Sequence, residues 1–253
     1  MPLLETKKLG IAFGGLRALD DVCFSLESGE IMGLIGPNGA GKTTVFNLLT
    51  GVYPPTEGTV ELEGKSIIGK KTAQITQSGI ARTFQNIRLF KDASVIDNVK
   101  TAMNYQMKYS VLSGILHLPS YWKEEAQVEE QAEGLLDVCG LKQYAKATAK
   151  NLPYGQQRKL EIARALAANP KVLLLDEPAA GMNPTETHEL LETIRTIREQ
   201  FGVAVLLIEH DMSFVMGLCE HIVVLDYGKV IAEGLPEEIR TNPRVIAAYL
   251  GGE

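Results

Sequence analysis

The chain has few cysteines and no long hydrophobic run. Cys23, Cys139 and Cys219 lie far apart, and no pair has the spacing of a metal site or a redox motif. We therefore expect reduced, buried thiols. The longest apolar run, Val203 to Ile208, is much shorter than the roughly 18–20 residues that span a bilayer, and residues 1–8 lack an apolar signal core. Any membrane role is therefore expected to come through a partner.

The chain also lacks an excess of positive charge. Its formal net charge is −6 and its pI is near 5.4. We therefore expect no broad basic surface that would bind nucleic acid. Hydrophobic residues make up 45% of the 253 residues, which is ordinary for a globular chain with a sizeable core. This length predicts one large domain, or one domain with an inserted subdomain.

One glycine-rich stretch fits the phosphate-loop pattern G-x-x-x-x-G-K-[ST] at every fixed position. A short apolar run, Ile31–Ile35, precedes it, and a helical pattern, Thr44–Thr50, follows it. Strand, glycine loop and helix are the context in which this motif binds phosphate; the alternative is a glycine-rich turn with a chance Lys-Thr. The loop residues are Gly36, Pro37, Asn38, Gly39, Ala40, Gly41, Lys42 and Thr43.

The chemistry expected of this loop follows from the charge of a polyphosphate. Consecutive backbone N–H groups in a tight loop form a concave donor site for anions, and the helix beginning near Gly41 directs its positive end toward them. Lys42 can reach the β- and γ-phosphates, and the Thr43 hydroxyl can ligate Mg²⁺. The loop therefore predicts binding of a polyphosphate together with Mg²⁺.

Two acidic residues follow a second apolar strand pattern. Val172–Leu175 reads as a buried parallel strand, and it ends in Asp176 and Glu177. Asp176 is expected to hold Mg²⁺ through water, and Glu177 to polarise a water in line with the γ-phosphate. The alternative for the pair alone is a strand that ends in two solvated acids.

The order of the patterns predicts an α/β fold, a phosphate-loop NTPase core with an antiparallel β subdomain and an inserted helical subdomain. Residues 1–87 and 156–253 are assigned to the core, and residues 88–155, where strand signals vanish, to the helical subdomain. Ordinary core helices are the alternative for that middle segment. The apolar stretch from Leu112 to Trp122 is either subdomain core or a docking surface.

Taken together, these motifs resemble the ATP-binding subunit of an ABC transporter, and within that superfamily the ATPase subunits of bacterial branched-chain amino acid importers. The likeness covers essentially the whole chain. It implies roles for particular residues. Phe13 would stack on adenine, Gln85 would contact Mg²⁺ and link the site to the membrane subunits, and His210 would sense the γ-phosphate. The phosphate loop extends to Thr44, and Ala180–Asn183 matches the loop that follows the catalytic Glu177.

The signature segment departs from the superfamily pattern L-S-G-G-Q. It reads Leu152-Pro153-Tyr154-Gly155-Gln156, so the serine hydroxyl is missing, and Asn183 replaces the usual Asp of the later loop. Both departures resemble the branched-chain amino acid branch. In the family's dimer, the backbone N–H groups of Tyr154, Gly155 and Gln156 are expected to contact the nucleotide that the opposite subunit holds.

The resemblance implies a peripheral ATPase at the cytoplasmic face of the inner membrane, soluble when isolated. Its expected partners are transmembrane permease subunits and a like or identical ATPase subunit, with no nucleic acid. The predicted reaction is ATP hydrolysis that powers import of branched-chain or related amino acids. Alternatives are the ATPase of lipopolysaccharide export or of urea or amide import, and a non-transport ABC protein acting on ribosomes or DNA.

Overall fold

The computed structural model describes residues 1–103 and 119–250 and divides the chain into two compact units. The first unit comprises Met1–Gln85 and Pro170–Glu253, and the second comprises Asn86–Asn169. The first unit is built on two sheets and the second on helices. The strands of the two sheets are β1 (Leu4–Phe13), β2 (Leu16–Leu26), β3 (Ile31–Ile35), β4 (Glu57–Leu62), β5 (Lys65–Ser66), β6 (Ile80–Arg82), β7 (Val172–Asp176), β8 (Ala204–Ile208), β9 (His221–Asp226) and β10 (Lys229–Gly234).

The larger sheet has six strands in the order β10-β9-β3-β8-β7-β6. β6, β7, β8, β3 and β9 run parallel, and β10 returns antiparallel to β9. Every residue of β3, β7 and β8 is buried, as expected for central parallel strands with both faces covered. The parallel strands place their carboxyl ends at one edge, so the segments that follow β3, β7 and β8 meet there.

The smaller sheet is antiparallel, with the order β2-β1-β4-β5. Its buried residues, including Leu4, Leu9 and Val60, join a core cluster that also contains Phe46 of the helix after the phosphate loop. The two sheets of this unit therefore share one hydrophobic core. This agrees with the predicted combination of a nucleotide-binding core and an antiparallel β subdomain.

The helices of the described residues are named in chain order. They are α1 (Lys42–Leu49), α2 (Thr72–Ser78), α3 (Val95–Met103), α4 (Pro119–Val138), α5 (Tyr154–Leu166), α6 (Pro184–Phe201), α7 (Met212–Leu218), α8 (Pro236–Thr241) and α9 (Pro243–Leu250). Short 3₁₀ turns occupy Lys142–Tyr144 and Ala149–Asn151. Within these described ranges, no helix is both long enough and apolar enough to cross a membrane.

The second unit is a cluster of α3, α4 and α5, which contact one another. Its interior includes Val99, Leu136 and Leu160, each fully buried. It extends beyond the predicted segment 88–155, because α5, assigned from sequence to the nucleotide-binding core, packs on α3 and α4. Much of the stretch from Leu112 to Trp122 lies outside the described residues.

The mixed α/β architecture expected from the sequence is confirmed. Strand β7 begins at Val172 and ends at Asp176, as the sequence predicts. Helix α1 begins at Lys42, directly after Gly41 in a left-handed conformation. The structure adds helix α2, which the sequence did not reveal.

Candidate active site

The phosphate loop joins β3 to α1 and requires glycine at two positions. Gly36 has φ 148°, and a Cβ there would lie 2.0 Å from the carbonyl oxygen of Leu225. Gly41 has φ 106°, and a Cβ there would lie 2.6 Å from a methyl carbon of Leu19. Contacts this short would displace backbone or core, so larger residues would distort the loop. The loop therefore packs closely against β9 and β2, and its opposite side is available to a ligand.

Lys42 is the first residue of α1 and points back over the loop. Its Nζ donates hydrogen bonds to the carbonyl oxygens of Gly36 at 2.6 Å and Pro37 at 2.9 Å. Burial lowers the pKa of Lys42, and the negative charges of Glu177 and Asp176 partly offset this effect. A phosphate group at the loop would add the counter-charge that favours the protonated amine.

Glu177 lies directly after β7, between two polar side chains. The Gln85 amide donates to Glu177 Oε2 at 2.6 Å, and His210 Nε2 lies 2.7 Å from Glu177 Oε1. The Glu177 backbone has φ 47°, a left-handed conformation that is uncommon for a residue with a side chain. Strain of this kind is concentrated at functional sites. The structure thus brings Glu177 and His210, both predicted to act at the γ-phosphate, together with Gln85, predicted to contact Mg²⁺.

Asp176, one residue earlier, is bound to an arginine that the sequence analysis did not single out. Arg82 Nη2 lies 2.7 Å from Asp176 Oδ2, and Arg82 Nη1 donates to Asn47 Oδ1 at 2.8 Å. The guanidinium also lies over the ring of Phe46, 5.4 Å from its centroid. Arg82 ends β6, the strand paired with β7, so its role depends on sheet pairing between segments remote in sequence.

A cavity of about 320 Å³ lies between the phosphate loop, Glu177 and His210. Glu177 and His210 line it from one side and Tyr227 from the hairpin between β9 and β10. The phosphate-loop residues on its wall are Asn38, Gly39, Ala40, Gly41, Lys42, Thr43 and Thr44, and the remaining wall is Leu16, Arg17 and Ala18 of β2. A wall with loop amides, one buried lysine and hydroxyls is suited to an anionic ligand.

The oxygen donors near this cavity are suited to Mg²⁺, which is bound partly by substrate phosphates. They are less suited to a metal ion whose ligands all come from the protein. Among the described residues, no group of three or more His, Cys, Asp or Glu side chains is arranged to hold a metal. Mg²⁺ typically binds one or two carboxylates together with substrate phosphates and water. The predicted donors Thr43, Gln85 and Asp176 fit that pattern, with Asp176 at the end of β7 and Thr43 in α1.

Phe13 makes an aromatic contact that the sequence alone did not indicate. It ends β1, is 45% exposed, and meets the ring of Tyr53 edge to face, with centroids 5.4 Å apart. Tyr53 lies in the turn after α1, so two exposed aromatic rings stand together near the start of the β1–β2 hairpin. Both offer apolar surface to a nucleobase, and the adenine role of Phe13 remains a prediction.

The signature residues belong to the second unit and begin α5. Pro153 is the residue before the helix, Tyr154 opens it, and Gly155 is buried in its first turn. Because the first N–H groups of a helix have no intrahelical acceptor, those of Tyr154, Gly155 and Gln156 are available as donors. The side-chain oxygen of Gln156 is buried without a hydrogen-bond partner in the part of the chain that the structure describes.

A buried ion pair holds the helix that carries this signature. Arg158 Nη1 lies 3.0 Å from Glu161 Oε2, one turn along α5, and both side chains are essentially inaccessible. The Arg158 guanidinium also lies 6.0 Å from the centroid of the Tyr154 ring. The side chain at the start of α5 is therefore packed against a rigid charged group.

Asn183 has a structural role at the start of α6. Its side chain accepts a hydrogen bond from the Glu186 N–H at 3.0 Å, and Glu186 Oε2 accepts from the Asn183 N–H at 3.1 Å. This reciprocal pair is a capping box. Asn is as good a helix cap as Asp. The departure at this position therefore leaves the end of the Ala180–Asn183 loop well anchored.

The C-terminal helix reaches the phosphate loop. The Tyr249 side chain of α9 lies near the backbone of Gly36, and burial raises the pKa of its hydroxyl. A second cavity, of about 1060 Å³, lies beside it and is lined by Gly36, Arg244 and Tyr249 among others. The sequence pattern of the last residues gave no sign of this contact, because it links two segments far apart in the chain.

The fold and these residues together define a phosphate-loop ATPase domain of the ABC type. Family models agree: residues 19–180 match the ABC transporter family, and residues 229–253 match a family described as "Branched-chain amino acid ATP-binding cassette transporter". The chain belongs to the ABC transporter ATP-binding family, in its branched-chain amino acid branch. The family expected from the sequence is therefore confirmed.

Individual relatives are similar over nearly the whole chain. LivG of Salmonella typhimurium, a high-affinity branched-chain amino acid transport ATP-binding protein, is 48% identical over 99% of this chain and 98% of its own length. BraF of Pseudomonas aeruginosa, described in the same words, is 46% identical over the same shares. The crystal structure of the ADP conformation of MJ1267, an ATP-binding cassette of an ABC transporter, superposes with a TM-score of 0.86 at 33% identity, covering 100% of both chains.

Proposed function

We propose that the chain is the ATP-hydrolysing subunit of an importer of branched-chain or related amino acids. The observation that carries this proposal is the position of Glu177, whose carboxylate is hydrogen-bonded to Gln85 and His210 on the wall of the phosphate-loop cavity. The full-length similarity to LivG and BraF supports the class of transported solute.

The phosphate loop, Asp176, Glu177 and His210 suit in-line attack of water on the γ-phosphate. The loop amides and Lys42 hold the phosphates and offset charge that develops on the transferred group. Thr43 and Asp176, with Gln85, would hold Mg²⁺, which supplies Lewis-acid stabilisation of the phosphate oxygens when bound. Glu177 orients or deprotonates the attacking water, and His210 fixes the carboxylate and the γ-phosphate in relation to each other.

The working unit would be a dimer of this chain with a like or identical ATPase subunit. The supporting feature is the start of α5, where Tyr154, Gly155 and Gln156 present backbone N–H groups that lack intrahelical acceptors. The N-terminus of such a helix attracts phosphate, so it would complete the site of the partner. The dimer would bind transmembrane permease subunits and so act peripherally at the cytoplasmic face of the inner membrane.

Reconstitution tests this function directly. The chain is coexpressed with candidate permeases and a second ATPase, placed in vesicles, and assayed for uptake of labelled leucine with ATP supplied on the side of the ATPase. Uptake that depends on ATP and is lost in Glu177→Gln supports the proposal. Steady ATP hydrolysis without amino acid uptake, but with uptake of urea or an amide, would instead favour that other class of importer.

A further inference from the structure

A buried carboxylate, that of Glu209, lies beside the proposed active site. Glu209 follows β8 directly and is 3% exposed. Its Oε1 accepts a hydrogen bond from the Ala179 N–H at 2.7 Å, and its Oε2 accepts from the His210 N–H at 3.0 Å. The nearby Asp211 backbone also acts to lower the pKa of this carboxylate. Glu209 therefore binds the backbone of two separate loops.

These two loops carry the groups proposed to act on the γ-phosphate. Ala179 is two residues after Glu177, and His210 is the histidine whose ring meets Glu177 Oε1 at 2.7 Å. The contacts close a ring that runs from Glu177 along the backbone to Ala179, through the Glu209 carboxylate to His210, and through the imidazole back to Glu177. The Glu177 N–H also donates to Ile208 O at 2.9 Å. The Glu177 loop is therefore held at two points, by the Ile208 carbonyl oxygen and by the Glu209 carboxylate.

Keeping a carboxylate at this position is unfavourable unless its hydrogen bonds are made. Burial raises the pKa of Glu209, and the negative charge of Glu177 raises it further, while the backbone donors oppose both effects. A buried polar group that spans two loops specifies their relative position more tightly than apolar packing does, because its bonds are directional. Side chains that hold catalytic groups within about half an ångström set the efficiency of a site.

We propose that Glu209 is a positioning residue for ATP hydrolysis, which fixes the loop that follows Glu177 relative to the backbone of His210. The inference rests on the proposed hydrolytic function. Glu209 acts through Glu177 and His210 and does not itself touch nucleotide. It also ties the start of the Ala180–Asn183 loop to the histidine, so a displacement of either loop is passed to the other.

The test is the variant Glu209→Gln, which keeps the shape but turns one acceptor oxygen into an NH₂ group facing a backbone N–H. We expect kcat for ATP hydrolysis to fall about 10-fold or more, while the Kd for ATP stays within about twofold of wild type. The matched control is Glu220→Gln, because Glu220 also accepts a backbone hydrogen bond, from the Ile31 N–H, at the opposite end of the parallel strands. Its kcat should equal that of wild type.

A double-mutant cycle separates positioning from a merely structural role. If Glu209 acts partly through His210, Glu209→Gln should slow ATP hydrolysis by a smaller factor in the His210→Ala background than in wild type, since the imidazole that it helps to place against Glu177 is then absent. Should Glu209→Gln fail to fold, Glu209→Asp replaces it, because it keeps the charge but cannot reach both loops. A folded variant with wild-type kcat, or strictly multiplicative losses in the cycle, would overturn the proposal. A wild-type protein that does not hydrolyse ATP would instead refute the proposed function.

Discussion

Arg82 and Asp176 form a buried ion pair across neighbouring strands, with Arg82 Nη2 2.7 Å from Asp176 Oδ2. Their side chains are 8% and 6% exposed, so the pair is screened from water. The Asp176 carboxylate, which is proposed to bind Mg²⁺, therefore has its charge balanced and its orientation fixed by Arg82 of β6. The pair also connects the end of β7 to Asn47 of α1, since Arg82 donates to both.

Removing Arg82 should destabilise the fold of the first unit. Arg82→Ala leaves the Asp176 carboxylate buried without its partner, a change that typically costs about 3–5 kcal/mol of unfolding free energy. Urea unfolding followed by circular dichroism measures this loss. The control is Arg240→Ala, whose ion pair with Glu237 is largely exposed, and it should leave the midpoint unchanged. Equal midpoints for wild type and Arg82→Ala would show that the pair contributes nothing.

A second prediction concerns the affinity of the phosphate loop for ATP. Lys42→Ala removes a positive charge and a charge-assisted donor from the polyphosphate site, and each such bond typically contributes about 1.5–3 kcal/mol. We expect the affinity for ATP to fall roughly 10- to 150-fold. Calorimetric titration of the folded variant measures it, with the exposed Lys65→Ala as the control for loss of charge alone. Unchanged affinity in Lys42→Ala would remove the lysine from the site.

Local motifs predicted the parts of the site that a single segment encodes. The glycine pattern identified the loop and the start of α1, and an apolar run ending in two acids identified β7. His210 was placed by resemblance, and the structure sets it against Glu177. In each of these cases the chemistry lies within a few residues of an element that hydrophobic pattern alone can locate.

Contacts between distant segments were not predictable in this way. Arg82 binds Asp176 because β6 pairs with β7, and Glu209 receives a hydrogen bond from Ala179 because the ends of β7 and β8 adjoin. Phe13 meets Tyr53 although β2, β3 and α1 lie between them in the chain. No local sequence pattern determines the order of strands in a sheet. The helix α5 was assigned to the other unit for the same reason, because its amphipathic pattern does not say which helices it faces.

The altered signature gives a test of the proposed dimer. Gly155→Asp adds bulk and negative charge at the start of α5, where a γ-phosphate held by the partner would approach. We expect it to block ATP-driven dimerisation and hydrolysis while ATP binding by the monomer stays nearly intact. Pro153→Ser is the control and should be tolerated, since the proposed contacts are made by backbone N–H groups of later residues.

Two measurements decide this prediction. One is the nucleotide affinity of the dilute monomer, and the other is the ATPase rate as a function of protein concentration, with thermal unfolding as a check that Gly155→Asp is folded. A rate per subunit that rises with concentration in wild type, and does not in Gly155→Asp, supports a shared site. If Gly155→Asp lowers monomer affinity as much as Lys42→Ala does, the signature acts within one chain.

The most direct test of the proposed chemistry is the ATPase rate of Glu177→Gln under saturating ATP and Mg²⁺. Glutamine keeps the shape of the side chain between Gln85 and His210 but cannot accept a proton from water. We expect ATP to bind with near wild-type affinity, turnover to fall at least ~10²-fold, and an ATP-bound dimer to accumulate on gel filtration. Turnover at the wild-type rate in this variant would contradict the assignment of Glu177 as the residue that activates water.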